Sequence, residues 1–191
     1  MRVLVGCEYS GTVRDAFIAR GHDAMSCDLL PSDTPGPHYQ GNILGLLSED
    51  WDLAIFHPPC THLAVSGARW FPFKQKEQAE ALEFVRLLLN APIDKIALEN
   101  PVSIISTKIR KPDQIVQPWQ FGDSYQKTTC LWLKNLAPLI PTKIVDKGEF
   151  VVYNGKKLPK WYSDSWGKKD RAKARSKTFP GIAAAMAERW G

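Results

Sequence analysis

Cysteine is scarce in this chain and never paired. Cys7, Cys27, Cys60 and Cys130 stand far apart, and none forms a Cys-x-x-Cys. That spacing argues against a disulfide framework or a zinc site, so no bound metal is expected. Each cysteine is by default a small buried apolar residue. Long apolar runs are also missing: none approaches the roughly 18 residues of a membrane span. Met1-Arg2-Val3-Leu4-Val5-Gly6 reads straight into a strand without a signal-peptide layout, which leads to the expectation of a cytoplasmic protein with no membrane partner. There is no internal repeat and no low-complexity tract. Histidine is limited to His22, His38, His57 and His62, and no His-x-Glu accompanies a Pro-Cys-x-x-Cys, which speaks against a zinc deaminase. All four read as structural or surface residues, except that His57 and His62 flank Cys60 and either could tune its thiol.

What remains is an ordinary globular composition. The 191 residues are 44% hydrophobic and 24% charged, enough for one domain with a real core. The net charge of +5 is uneven. Residues 143–177 hold 11 Lys or Arg against 4 Asp or Glu, a net +7 that leaves the rest of the chain at −2. Phe150, Tyr153, Trp161, Tyr162 and Trp166 interleave with those charges. Basic residues mixed with aromatics suit phosphates and unstacked bases, although many such runs are only solvated surface. Lys168, Lys169, Arg171, Trp161 and Trp166 are the candidate nucleic-acid contacts.

Strand and helix patterns alternate, which predicts an α/β domain with a largely parallel sheet. Strands are expected at 2–6, 23–27 and 51–56, and from Ile93 to Leu98, with helices at 12–20 and 74–90 and a proline-rich loop at 30–38. In the first helix Val13, Ala16, Phe17 and Ala19 are expected to share a face, and Gly21 to end it. In the second, Ala79, Leu82, Val85, Leu88 and Leu89 are expected inward. Later strands are expected at 128–133 and 149–153, and a final helix at 181–190.

The polar residues gather where the strands end, and ligands of open α/β sheets bind outside the carboxyl ends of strands. The first strand runs into Gly6-Cys7-Glu8-Tyr9-Ser10-Gly11, the second ends at Asp28, the third meets His57-Pro58-Pro59-Cys60, and the fourth meets Glu99-Asn100-Pro101. Gly6 and Gly11 allow close backbone approach. Asp28, 22 positions after Gly6, is well placed for ribose hydroxyls. Glu8 would repel a pyrophosphate, which favours a phosphate-free, positively charged cofactor such as S-adenosylmethionine. Cys60, on a stiff loop after two prolines, is a candidate nucleophile, and Glu99 offers a carboxyl group for proton work.

Together these residues resemble the cytosine-5 DNA methyltransferases, especially short phage-type members. Pro59-Cys60 followed by Ser66 resembles that family's catalytic loop, and Glu99-Asn100-Pro101 its Glu-Asn-Val motif. Gly6 through Gly11 falls at its cofactor loop and Asp28 at its ribose-binding acid. Gly41-Asn42-Ile43 falls at its adenine-contacting position. Pro180-Gly181-Ile182-Ala183 resembles its last motif, and Gln126-Lys127-Thr128-Thr129 lies where the family carries Gln-x-Arg-x-Arg. The resemblance implies a Rossmann-like S-adenosylmethionine-dependent fold acting on DNA, in a host cytoplasm if phage-encoded. It implies Cys60, Glu99 and Asn100 as catalytic residues, with Gly6, Glu8, Gly11, Asp28, Asn42, Ile43 and Pro59 holding the cofactor. Ser66 and Lys127 would join the nucleic-acid contacts. Residues 1–191 would form one methyltransferase domain, with 134–178 as a reduced target-recognition segment and 179–191 as a returning helix. Two alternatives stay open. One is an amino-methyltransferase acting on a base through the Pro-Pro loop. The other is a nucleic-acid-binding module without activity.

Overall fold

The computed structural model describes residues 1–167, 176 and 178–191. The chain begins β1 (Arg2–Gly6), α1 (Thr12–Ile18), β2 (Asp23–Asp28), β3 (His38–Gln40), β4 (Leu53–Phe56), α2 (Gln75–Leu89) and β5 (Lys95–Pro101). It continues α3 (Ile105–Lys108), β6 (Gln114–Val116) and β7 (Thr129–Lys134). A hairpin follows, β8 (Phe150–Tyr153) with β9 (Lys156–Pro159), then α4 (Lys160–Ser163) and the closing α5 (Pro180–Trp190).

Seven strands form one sheet in the order β3-β2-β1-β4-β5-β7-β6. β1 to β5 run parallel, and β7 lies antiparallel between β5 and β6. The order therefore reverses between β1 and β4, the switch point at which doubly wound sheets open a crevice. This is a mixed α/β architecture built on one mostly parallel sheet.

Alternation along the strands builds two apolar layers. Val3, Val5, Leu53, Ile55, Ala97 and Leu131 face Val13 and Phe17 of α1 and Ile182, Met186 and Trp190 of α5. Leu4, Ala54, Phe56, Ile96, Leu98 and Trp132 face Leu82, Val85 and Leu88 of α2. Successive strand residues point to opposite faces, so a sheet covered on both sides reads as a continuous apolar run. Among the described residues no helix is long and apolar enough to cross a membrane.

The sequence expectations hold for the long elements and fail at short edges. β3 begins inside the segment read as loop, and β6 and β9 carry no alternating apolar pattern. β3 and β6 are three-residue edge strands, each fixed by one neighbour rather than by its own composition. Ala19 and Ala79 are exposed rather than inward, because α1 ends at Ile18 and only the later turns of α2 reach the sheet. Arg14, read simply as a helix residue, is fully buried. Its guanidinium donates to Asp15 Oδ1 at 2.8 Å, Thr34 Oγ1 at 2.8 Å and the Pro35 carbonyl at 2.9 Å, pinning the proline-rich loop against α1.

Candidate active site

Three adjacent parallel strands deliver their carboxyl ends to one pocket of about 110 Å³. β1 supplies Cys7, Glu8, Tyr9 and Ser10. β4 supplies His57, Pro58, Pro59 and Cys60, and β5 supplies Glu99, Asn100 and Pro101. Lys127, from the approach to β7, and Ser176 and Thr178 close the wall. Tyr9 Oη lies 2.8 Å from Ser176 Oγ, tying the β1 turn to that wall.

The β4 loop is stiff for identifiable reasons. Pro58 and Pro59 fix two φ angles. Asn100, 1% exposed, donates from Nδ2 to the Pro58 carbonyl at 2.9 Å. Leu63 and Ala64 N–H groups donate to the Cys60 carbonyl, turning the chain just beyond the cysteine. Leu63 and Val65 then exchange backbone hydrogen bonds with Ile104 and Val102, so the loops after β4 and β5 are tied together. Asn100 thus sets the position of the cysteine loop from beneath.

Cys60 is exposed at the pocket, whereas Cys27 and Cys130 are buried in the apolar layer. Partial removal from water pushes the Cys60 thiol above its ordinary value. The Glu99 carboxylate adds to the rise, and the Lys127 charge and a backbone hydrogen bond oppose it. The resting group is therefore a thiol. Glu99 is nearly enclosed. Burial alone would raise its carboxyl, but the hydrogen bond from His57 and the charges of Lys127 and His57 outweigh burial and hold it below the ordinary range. His57 Nδ1 is 3.2 Å from Glu99 Oε2.

Glu8 is 5% exposed, and its carboxylate caps the start of α1. Val13 N–H and the Ser10 hydroxyl donate to Oε1 at 2.7 and 3.2 Å, and Arg14 N–H donates to Oε2 at 3.2 Å. The anion site at this helix start is already filled by a side chain. A phosphate has no place there.

The other residues singled out from sequence separate into groups. Pro59 lines the pocket beside Cys60. Gly6 is required by packing, since a Cβ would come within 2.7 Å of the Phe56 ring. Gly11 has φ 73, and a Cβ there would meet Thr34 Oγ1 at 2.2 Å. Asp28 lies one strand further out, outside the pocket lining, and its Oδ1 accepts from Leu30 N–H at 2.9 Å. Asn42 is exposed and accepts from Leu44 N–H, while Ile43 is 4% exposed within the core. Ser66 is exposed in a 3-10 helix, Val65–Phe73, that follows the cysteine loop. Lys168, Lys169 and Arg171 lie outside the described residues. Trp161 and Trp166 belong to an aromatic cluster: Trp161 packs edge-on to Tyr125, Tyr162 and Phe179, and Trp166 to Tyr153 and Tyr162.

Three residues gained importance that sequence reasoning had not given them. His57 contacts Glu99 rather than merely flanking the cysteine. Trp70 is 52% exposed beside Arg69, whose guanidinium sits 5.1 Å from its ring centroid. The signal for both was local: a histidine at a strand end, and the aromatic-rich Arg69-Trp70-Phe71-Pro72-Phe73 run directly after the loop. Tyr9 left no such signal, because its partner Ser176 is distant in sequence.

Among the described residues, no group of three or more His, Cys, Asp or Glu side chains could hold a metal ion. No protein-family model matches this chain, and no curated protein matches it by sequence. One similar solved structure is an E. coli protein encoded within a prophage and provisionally assigned as a DNA modification methyltransferase. It is 16% identical, with a TM-score of 0.49, and the match covers 76% of this chain and 52% of that one. This chain thus spans about half the length of that structure.

Proposed function

We propose that this chain transfers a methyl group from S-adenosylmethionine to carbon 5 of cytosine in DNA, with Cys60 as nucleophile. One arrangement carries the reading: Cys60, the Glu99–His57 pair and Lys127 line one pocket at the switch point of the sheet. A nucleophile, a carboxylate and a cation meet where open α/β sheets bind ligands.

The β1 turn fits the cofactor. Glu8 fills the phosphate position with negative charge, which suits a ligand that carries ammonium and sulfonium groups and no phosphate. Gly6 through Gly11 and Asp28 would hold it, with Asn42, Ile43 and Pro59 at its margin. When bound, S-adenosylmethionine supplies an electrophilic methyl group. The residues of this chain do the rest. The Cys60 proton leaves to water, helped by the Lys127 charge. The sulfur then bonds to carbon 6 of a base turned out of the stack. The C5–C6 electron pair shifts so that carbon 5 becomes nucleophilic, and ring nitrogen 3 takes a proton from water. Glu99 accepts from the exocyclic amine and so holds the ring. After carbon 5 has gained the methyl group, water takes the carbon-5 proton, the C5–H electron pair reforms the C5–C6 double bond and expels the Cys60 thiolate, and ring nitrogen 3 returns its proton to water.

DNA contact is assigned to two surfaces. One is the segment after Cys60, with Ser66, Arg69 and Trp70. The other is 134–178, a reduced target-recognition segment in which Lys168, Lys169 and Arg171 neutralise phosphates and Trp161 and Trp166 face unstacked bases. Residues 179–191 return as the closing helix of a single methyltransferase domain.

The test is mass spectrometry of nucleosides from DNA co-expressed with this protein, against a Cys60→Ser control. The expected product is 5-methylcytosine, absent in the control. An N-methylated base would move the assignment to amino transfer, and no modified base in DNA would overturn the reading.

A further inference from the structure

His57 has no place in the mechanism above beyond its contact with Glu99, yet its ring is enclosed in the pocket wall. Its side chain is 8% exposed, and Glu99's is 12%. Nδ1 is 3.2 Å from Glu99 Oε2. Nε2 is buried with no hydrogen-bond partner among the described residues. A buried ring with one partnered nitrogen has its tautomer decided by that partner. The partner is a carboxylate, which only accepts, so the proton must sit on Nδ1. The β4 backbone holds the ring in place, since His57 N–H donates to the Gly6 carbonyl at 2.9 Å.

We propose that His57 is a positioning and specificity-determining residue. By donating Nδ1–H to Glu99 Oε2, it fixes the carboxylate's orientation and commits it as an acceptor. Oε1 is left to take an exocyclic amine, so the pocket selects a base with an amino group over one with a keto oxygen at the same position. A carboxylate facing a carbonyl oxygen meets lone pairs with lone pairs, whereas facing an amine it accepts a hydrogen bond. This rests on the methylation reading for its substrate, but not for the His57–Glu99 contact itself.

The groups that bear on Glu99 come from three elements: His57 and Cys60 after β4, Lys127 before β7, and Cys130 within β7. Only His57 and Lys127 favour the ionised carboxylate. Removing the His57 donor leaves burial opposed by Lys127 alone, so the carboxyl should protonate at higher pH.

The test uses two substitutions in the full chain. His57→Asn keeps an N–H near the Nδ1 position, and His57→Leu removes it. If His57→Leu does not fold, His57→Gln, whose amide reaches toward the Nε2 position, takes its place. The first readout is the Glu99 side-chain carboxyl 13C shift across pH, assigned with Glu99→Gln. The midpoint should rise in His57→Leu and stay near wild type in His57→Asn. The second is methylation of cytosine against uracil at one site in DNA. His57→Leu should lose about tenfold or more in cytosine-to-uracil preference, with KM for S-adenosylmethionine unchanged and His57→Asn retaining most of the preference. An unmoved carboxyl midpoint in His57→Leu, or a His57→Asn protein as impaired as His57→Leu, overturns the proposal. If wild type modifies neither base, the methylation reading and the base selectivity built on it fail together. The carboxyl titration still decides the contact.

Discussion

The turn after β1 and the turn after β4 are neighbours in the sheet, and each brings a cysteine to the same pocket. The two thiols are built for different ends. Cys7 sits at φ 59 in a tight turn, and burial, followed by the charges of Asp28 and Cys27, pushes it up to about 12. Cys60 is exposed after two prolines and has Lys127 to favour its thiolate. Position at a strand end is therefore not enough to make a nucleophile. The β1 turn is organised around a carboxylate that caps a helix, and its thiol is silenced mainly by removal from water, with Asp28 adding to the rise. The β4 loop is organised around Asn100 and a cation, and there a thiolate can form.

The largest expected effect tests that contrast directly. Cys60→Ser should reduce methylation by roughly three orders of magnitude or more, because a hydroxyl supplies almost no anion near neutral pH. Cys7→Ser should stay within about threefold of wild type, since its thiol is held protonated and takes no part. Single-turnover assays on one DNA substrate, with circular dichroism as the folding control, measure both. Equal losses in the two variants would erase the distinction between the turns.

A smaller effect tests the cofactor side, at the end of the neighbouring β2. Asp28→Ala should weaken S-adenosylmethionine binding by about tenfold or more, since a hydrogen bond to a charged acceptor contributes about 1.5–3 kcal/mol. Calorimetry gives the affinity. An unchanged Kd would remove Asp28 from the cofactor side, in keeping with its place outside the pocket lining.

The same two turns show what could be read from sequence. β1, β2, β4 and β5 were legible because covered parallel strands leave apolar runs, and their ends fixed which residues would converge. Cys60, Glu99 and Glu8 came from those ends and do share a pocket. The edge strands β3 and β6 were not legible, since pairing rather than composition makes them. Nor was the burial of Arg14, which depends on a loop that folds back onto α1. The resemblance puts Gly41-Asn42-Ile43 at the adenine-contacting position, and the Ile43 side chain packs in the core against Gly6. Ser176 was hidden because its partner Tyr9 is 167 residues away. Local pattern reports which face an element buries, and says little about contacts between distant loops.

The smallest effect concerns how the two thiols respond to pH. Alkylation by iodoacetamide proceeds through the thiolate, so its rate climbs as pH approaches the thiol's pKa. Cys60 should label ahead of Cys7 at every pH, because Cys60 is exposed while Cys7 is half-buried and pushed up to about 12. Lys127 lowers the Cys60 thiol against burial and Glu99. Lys127→Ala should therefore move the Cys60 labelling curve to higher pH and slow labelling near pH 8 by a few-fold, a modest change because water screens a charge at a partly open site. The Cys7 curve should not move, since its perturbing charges are Asp28 and Cys27. Peptide mass spectrometry at timed quenches resolves the two sites in one sample. A Cys60 curve unaffected by Lys127→Ala would mean that the cation serves the Glu99 carboxylate alone, and the contrast between the turns would then rest on exposure rather than charge.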